Sequence, residues 1–179
     1  MAFISISITK NHPLILGKGG FGRQLADWLS AEGWGEAEFL DDSAPGCVGG
    51  LRDYADPKLL KPGRPAFVAL GDNALRVELL QKLAAAGYDT PVFISDMAAV
   101  SPSAVLEPGC VILPQAYVGA DAHLGVGCIV NAGAIVDHNA HLGRGVHVAP
   151  GGIVKASAEV ADFGKVDSGE IVRSPWENQ

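Results

Sequence analysis

The chain has 179 residues, 48% of them hydrophobic, which is ample for one large soluble domain or two small ones. A formal net charge of −7 and a pI near 5.1 argue against non-specific nucleic-acid binding, since no basic run is present to displace phosphate counterions. No apolar run approaches the roughly 18 residues of a membrane span, and the start lacks a basic stretch followed by an apolar block, so a cytoplasmic protein without membrane insertion is expected.

Taken in chain order, Ile4, Ile6 and Ile8 alternate with Ser5 and Ser7 as an extra strand would. Short buried strands are predicted at Leu14 to Leu16, Glu38 to Leu40, Ala66 to Leu70 and Val92 to Ile94. Helical spacing lies between them, at Phe21 to Glu32 with Leu25 and Leu29 on one face, and at Ala74 to Ala86 with Leu75, Leu79 and Leu83. This alternation predicts a small parallel sheet with covering helices, a βαβ domain over residues 1–96.

After the first strand, Gly17, Gly19 and Gly22 fit G-x-G-x-x-G with Gly20 inside it, ahead of a helix. Glycine lets a phosphate approach the backbone, and helix N-terminal N–H groups face the anion. Asp41 and Asp42 end the second strand, where a carboxylate can accept hydrogen bonds from a ribose or a base; the alternative is a solvated turn before Ser43-Ala44-Pro45-Gly46. Gly71-Asp72-Asn73 follows the third strand, with Asn73 as the expected N-cap. All three turns sit at carboxyl ends of parallel strands, where such sheets bind ligands. The motif alone reads as a nicotinamide enzyme, but some 85 residues supply only about half of a dinucleotide fold, so a mononucleotide fits better.

From Ser101 to Val172 an apolar residue closes every hexad, from Leu106, Ile112 and Val118 through to Val172, and the fourth position is small except at Val146 and Glu170. That period is the signature of a parallel β-helix of about four coils, filling residues 97–179 with a short tail. Residues eighteen apart then stack if three hexads make one turn. Cys110 and Cys128 fall eighteen apart as interior fillers, and with Cys47 they make neither a metal spacing nor an even disulfide set. No metal is implied by the histidines either. His123 and His141 should form a stacked outward pair, while His138 takes the second hexad position near a corner.

A glycine-rich half-Rossmann unit followed by hexads resembles the sugar O-acyltransferase family of the sialic-acid O-acetyltransferase type, close in layout to N-acetyltransferases of UDP-linked 4-amino sugars. The motifs are Leu16-Gly17-Lys18-Gly19-Gly20-Phe21-Gly22, Phe39-Leu40-Asp41-Asp42, Ala69-Leu70-Gly71-Asp72-Asn73-Ala74-Leu75-Arg76, Val100-Ser101-Pro102-Ser103-Ala104, Asn131-Ala132-Gly133-Ala134-Ile135-Val136-Asp137-His138-Asn139 and His147-Val148-Ala149-Pro150-Gly151, within Pro13 to Val154. The resemblance implies a left-handed, three-sided β-helix, a nucleotide-sugar held by the first domain, acetyl-CoA as co-substrate between subunits of a homotrimer, and no metal. Carried over residue by residue, it makes His138 the general base, puts Asn131 in the same wall, and places His147, Ala149 and Ala156 beside the cofactor. The nucleotide-sugar contacts fall on Gly17, Gly19, Gly20, Gly22, Asp41, Asp42, Gly71 and Asn73. An imidazole near pKa 6.5 suits the proton transfer that attack on a thioester requires.

The chain departs from that pattern in four places. Asn139 stands where the family has an acidic residue, Phe21 where its glycine loop often has histidine, and Lys155-Ala156 where it has a small pair whose backbone N–H serves the thioester oxygen. Regularity ends at Glu170, before the family's further coils, and Pro175 with Trp176 is expected to stop stacking and cover the open end. The shortened solenoid keeps a second reading open, a nucleotide-sugar-binding or scaffold protein without a cofactor.

Overall fold

A computed structural model describes residues 12–59, 61–174 and 176. The expected strand of Ile4 to Ile8 and the role of Pro175 lie outside the described residues. Strand β1 (Leu14–Leu16), helix α1 (Gly20–Ala31), strand β2 (Glu38–Leu40), strand β3 (Ala66–Val68) and helix α2 (Asn73–Ala85) build a parallel sheet in the order β2-β1-β3. Each helix buries the face that its leucines mark. Leu25 and Leu29 pack with Ile15 and Phe67 on one side of the sheet, and Leu79, Leu80 and Leu83 with Leu14, Leu16 and Val68 on the other.

Among the described residues the sheet has three strands. Phe93–Ile94, expected to extend it, pairs with Val111–Ile112 and is the first rung of the solenoid. Its chain position after α2 suggested a sheet strand, but Ile94 and Val100 close two further hexads ahead of Ser101, and that period governs the pairing.

The solenoid is a left-handed β-helix of about four turns, with two-residue parallel strands in three faces of five, five and four strands, each strand paired with the one eighteen residues on. Face 1 carries Phe93–Ile94, Val111–Ile112, Ile129–Val130, His147–Val148 and Lys165–Val166. Face 2 carries Ala99–Val100, Tyr117–Val118, Ile135–Val136, Ile153–Val154 and Ile171–Val172. Face 3 carries Val105–Leu106, His123–Leu124, His141–Leu142 and Glu159–Val160. Hexad-closing residues such as Val118, Leu124, Val130 and Val136 fill the interior, with Cys110 and Cys128 among them. Each thiol donates to a carbonyl, Cys110 to Gly125 at 3.3 Å and Cys128 to Gly143 at 3.0 Å, which suits inert fillers. Trp176, expected over the open end, stands 68% exposed.

Outward residues of the three faces differ in a way that positions everything else. On face 1, Phe93, Val111 and Ile129 are buried against Ile15, Leu25, Leu29 and Trp34, so the α/β unit lies on the early coils. Beyond that cover the column turns polar, at His147 and then Lys165. Face 2 presents Tyr117, Ile135 and Ile171, all exposed, and face 3 presents His123 and His141, stacked with ring centroids 4.9 Å apart.

The two units are clamped by Arg76, 1% exposed, whose guanidinium donates to the carbonyls of Gly127 (2.8 Å), Gly145 (2.6 Å) and Leu70 (2.8 Å) and to Asn73 Oδ1 (2.8 Å). Arg76→Met should lower unfolding free energy by about 3 kcal/mol, because it leaves buried carbonyls without donors. Arg76→Lys should not restore it, since an ammonium cannot span the same acceptors. Chemical denaturation followed by circular dichroism checks both variants, and a midpoint equal to wild type for Arg76→Met refutes the clamp.

Candidate functional site

The residues marked out by sequence fall into two groups, one at the junction of the α/β unit with face 1 and one at the corner between faces 2 and 3. In the first group, Gly17 has φ +99 and a Cβ there would lie 2.8 Å from Ala69 O, while a Cβ on Gly22 would meet Gly17 O at 1.9 Å. Only glycine lets the loop fold back this tightly into α1. Gly19 and Gly20 have open space around them instead, which leaves the helix start approachable. Gly19 caps α1 without a side chain, and the first intrahelical bond runs from Arg23 N–H to Gly19 O. The N–H groups of Gly20, Phe21 and Gly22 precede that bond, a ready anion cradle.

Asp41 is engaged in building this loop. Its carboxylate accepts from the backbone N–H of Lys18 (2.7 Å), Ser43 (2.9 Å) and Ala44 (2.9 Å) and from the Ser43 hydroxyl (3.1 Å). Those bonds, Lys18 first, pull its pKa down to about 2. Lys18 Nζ donates to the carbonyls of Pro45 and Gly46, tying the glycine loop to the turn after β2. Asp42 accepts from Leu51 N–H and borders a cavity of about 170 Å³ with Arg52, Tyr54, Leu75, Glu78 and Lys82.

Asn73 does not cap α2. Asp72 does, accepting from Leu75 N–H at 2.9 Å, and Asn73 Nδ2 donates to the carbonyls of Phe163 and Gly164. Asn73 and Arg76, three apart on α2, are therefore a joint to the solenoid. Gly71, beside them, has nothing within 4 Å of its Cβ position.

On face 1, Phe21 reaches from α1 to His147, with ring centroids 6.4 Å apart and planes at 39°. Asn131 is 8% exposed, accepts from Ala132 N–H at 2.8 Å through Oδ1, and places Nδ2 3.3 Å from His147 Nε2. Burial, then the charges of Arg76 and Lys165, push the pKa of His147 down to about 4. Ala149 N–H is committed to Val166 O at 2.8 Å, so it is no free donor.

The second group is exposed. His138 and Asn139 form the turn after Ile135–Val136, with Asn139 at φ 55, a left-handed corner position that asparagine tolerates. The Asn139 side-chain amide lies 2.9 Å from His138 Nδ1. Asp137 turns to the backbone, accepting from His138 N–H at 2.7 Å. One coil on, Ser157 N–H donates to His138 O at 3.1 Å, so Ala156 shares this corner, and its N–H has no partner among the described residues. Within one chain, face 2 separates His138 and Ala156 from Asn131 and His147.

The family model described as the PglD N-terminal domain matches residues 14–83. Among solved structures, the chain is similar to the acetyltransferase domain of PglB from Neisseria gonorrhoeae in complex with acetyl coenzyme A, at 32% identity and a TM-score of 0.83 over 92% of this chain and 82% of that one. A histidine-to-asparagine mutant of perosamine N-acetyltransferase from Caulobacter crescentus, in complex with CoA and GDP-perosamine, matches at 28% identity and a TM-score of 0.78, over 86% of this chain and 76% of that one. PerB from Caulobacter crescentus, in complex with CoA and GDP-perosamine, matches at 27% identity and a TM-score of 0.68 over 90% and 91%.

Asp41→Asn should destabilise the protein at neutral pH and weaken anion binding at the glycine loop. The folded carboxylate titrates below its ordinary 3.8, so its stabilisation is present above that pH and lost as pH falls through about 2. Thermal melts of both proteins should converge as pH drops from about 4 toward 2. A gap that stays constant across that window contradicts the role.

Proposed function

Because this chain belongs to the hexapeptide-repeat sugar acetyltransferases and is an acyltransferase, we propose that it moves an acetyl group from acetyl-CoA to the amino group of a nucleotide-linked sugar. One observation carries the proposal: the exposed imidazole of His138 shares its corner with the N–H of Ala156, which has no partner among the described residues. Attack of an amine on a thioester needs a base for the proton and a donor for the oxygen, and this corner offers both.

In this mechanism the neutral amine forms a bond to the carbonyl carbon while His138 Nε2 takes its proton. Ala156 N–H receives the charge growing on oxygen; the carbon–sulfur bond then breaks, and the thiolate recovers the proton from the imidazolium. For His138 to present a bare Nε2, the Asn139 amide, whose Nδ2 lies 2.9 Å from Nδ1, must turn its Oδ1 there and accept the Nδ1 proton. Asn139 orients the ring without offsetting its positive charge, which favours a slower enzyme than one with a carboxylate at that place. The glycine loop, the N-terminus of α1 and the turn held by Asp41 are assigned to the nucleotide diphosphate, with Asp42 and Gly71 at its edges.

The assembly we propose is a homotrimer. The exposed apolar column of face 2, Tyr117, Ile135 and Ile171 with Ile153 among them, supports contact with a second copy. Such contact would bring His138 of one copy to the Asn131 and His147 of its neighbour, which a single chain keeps apart.

His138→Ala should reduce turnover by at least about a hundredfold while leaving nucleotide-sugar affinity unchanged. Steady-state kinetics with calorimetric binding tests this, and an undiminished rate removes His138 from the reaction. Co-expression of the His138→Ala and His147→Ala chains should recover about a quarter of wild-type activity, because in a ring of shared sites that fraction pairs two intact halves. Absence of recovery rejects the shared site.

A further inference from the structure

We propose that Asn131 and Phe21 hold His147 as a neutral imidazole protonated on Nδ1, a hydrogen-bond donor to a substrate oxygen and not a proton acceptor. The Asn131 amide fixes the tautomer. Its two ends are chemically different, and Ala132 N–H settles which is which, because an N–H donates only to the oxygen end. The end facing His147 is then the NH2 group, 3.3 Å from Nε2. An NH2 group donates and cannot accept, so Nε2 must be bare and the ring proton must sit on Nδ1. A proton on Nε2 would set two donors against each other where Asn131 is almost fully buried.

The charge state follows from what surrounds the ring. Phe21 covers it from the α/β side, and the charges that bear on it, Arg76 and Lys165, are both positive, Lys165 being paired with Asp167 at 2.6 Å. No carboxylate is among the groups that shift its titration, and burial comes first among them. His147 Nδ1 has no partner among the described residues, so its proton is available to a ligand. The chain thus separates two imidazole tasks: His138, exposed at a corner, is suited to moving protons, and His147 to holding one still. Asn131 and Phe21 act through His147 and are positioning residues. This inference leans on the acetyl-transfer reading only for what the donor meets.

The tautomer can be read without substrate, from long-range proton–nitrogen correlation spectra of the full-length protein labelled with nitrogen-15 in histidine. The wild-type ring should show a protonated Nδ1 and a bare Nε2, unchanged between pH 8 and about pH 5.5. Asn131→Asp replaces the donor by an acceptor of equal size and should reverse the pattern, placing the proton on Nε2. Phe21→Ala should keep the tautomer and raise the pH at which the ring takes its second proton. A wild-type spectrum with Nε2 protonated, or a ring already charged near pH 6.5, overturns the proposal whether or not the variants fold. Acetyl-CoA and GDP-perosamine, added separately, identify the acceptor oxygen by which of them shifts the Nδ1 proton. If either binds by calorimetry and neither shifts it, the donor role is wrong. If neither binds, the acetyl-transfer reading fails and the tautomer stands.

Discussion

A buried guanidinium with no carboxylate hydrogen-bonded to it among the described residues is the interaction on which the arrangement of this molecule rests. Burial pushes the pKa of Arg76 down to about 10, so the group keeps its charge at neutral pH and must be solvated by the protein. The solvation comes from carbonyl oxygens of two successive coils, Gly127 and Gly145, and from Leu70 at the end of β3. Each of these acceptors has its own angle, so α2 is fixed in position and rotation against the solenoid. Asn73 adds a second point one coil further on, through Phe163 and Gly164. Apolar packing alone would tolerate sliding of a helix along a column of equivalent coils. Directional bonds to particular carbonyls do not.

That registration decides where chemistry is possible. Because the α/β unit covers Phe93, Val111 and Ile129 and stops there, the next residue of the column, His147, meets both the edge of the cover and the solvent. Phe21 reaches it from the first turn of α1, the turn whose free N–H groups suit an anion. A helix start suited to an anion and a desolvated imidazole are thereby held side by side. In a chain of net charge −7, this local field supplies what the surface as a whole does not.

The solenoid was legible from its period, because a two-residue strand with one interior side chain repeats the same physical requirement at every hexad. Even the first rung carries the signal in Ile94, though Ser95 and Asp96 follow it and make Phe93–Ile94 resemble a sheet strand. Both helices were visible for the same reason, with their leucines set to one side. What sequence could not reveal is how polar side chains are spent. Arg76 lies within a recognisable motif, yet its acceptors come from residues 51 and 69 positions away, so no local pattern announces a clamp. Asn73 has the composition of an N-cap, and only the closeness of Phe163 shows that Asp72 caps and Asn73 bridges. Asp41 has the position of a ligand contact, and only the geometry of Lys18, Ser43 and Ala44 shows how fully its lone pairs are used.

A prism has a geometric limit as an enzyme. Its corners are convex, so side chains on adjacent faces diverge, and a ligand at one corner is surrounded on one side only. The proposed base His138, exposed, and the proposed donor Ala156, half-buried, lie at such a corner. Concavity has to come from a second body laid against the prism. On face 1 the α/β unit already provides one, which is why buried and desolvated groups, Asn131 and His147, occur there. In the proposed trimer, the apolar column of face 2 lays another copy of the chain against the corner between faces 2 and 3. Groups held on separate corners would then act on one substrate, and the rigidity that keeps them apart within a chain would hold them in register between chains.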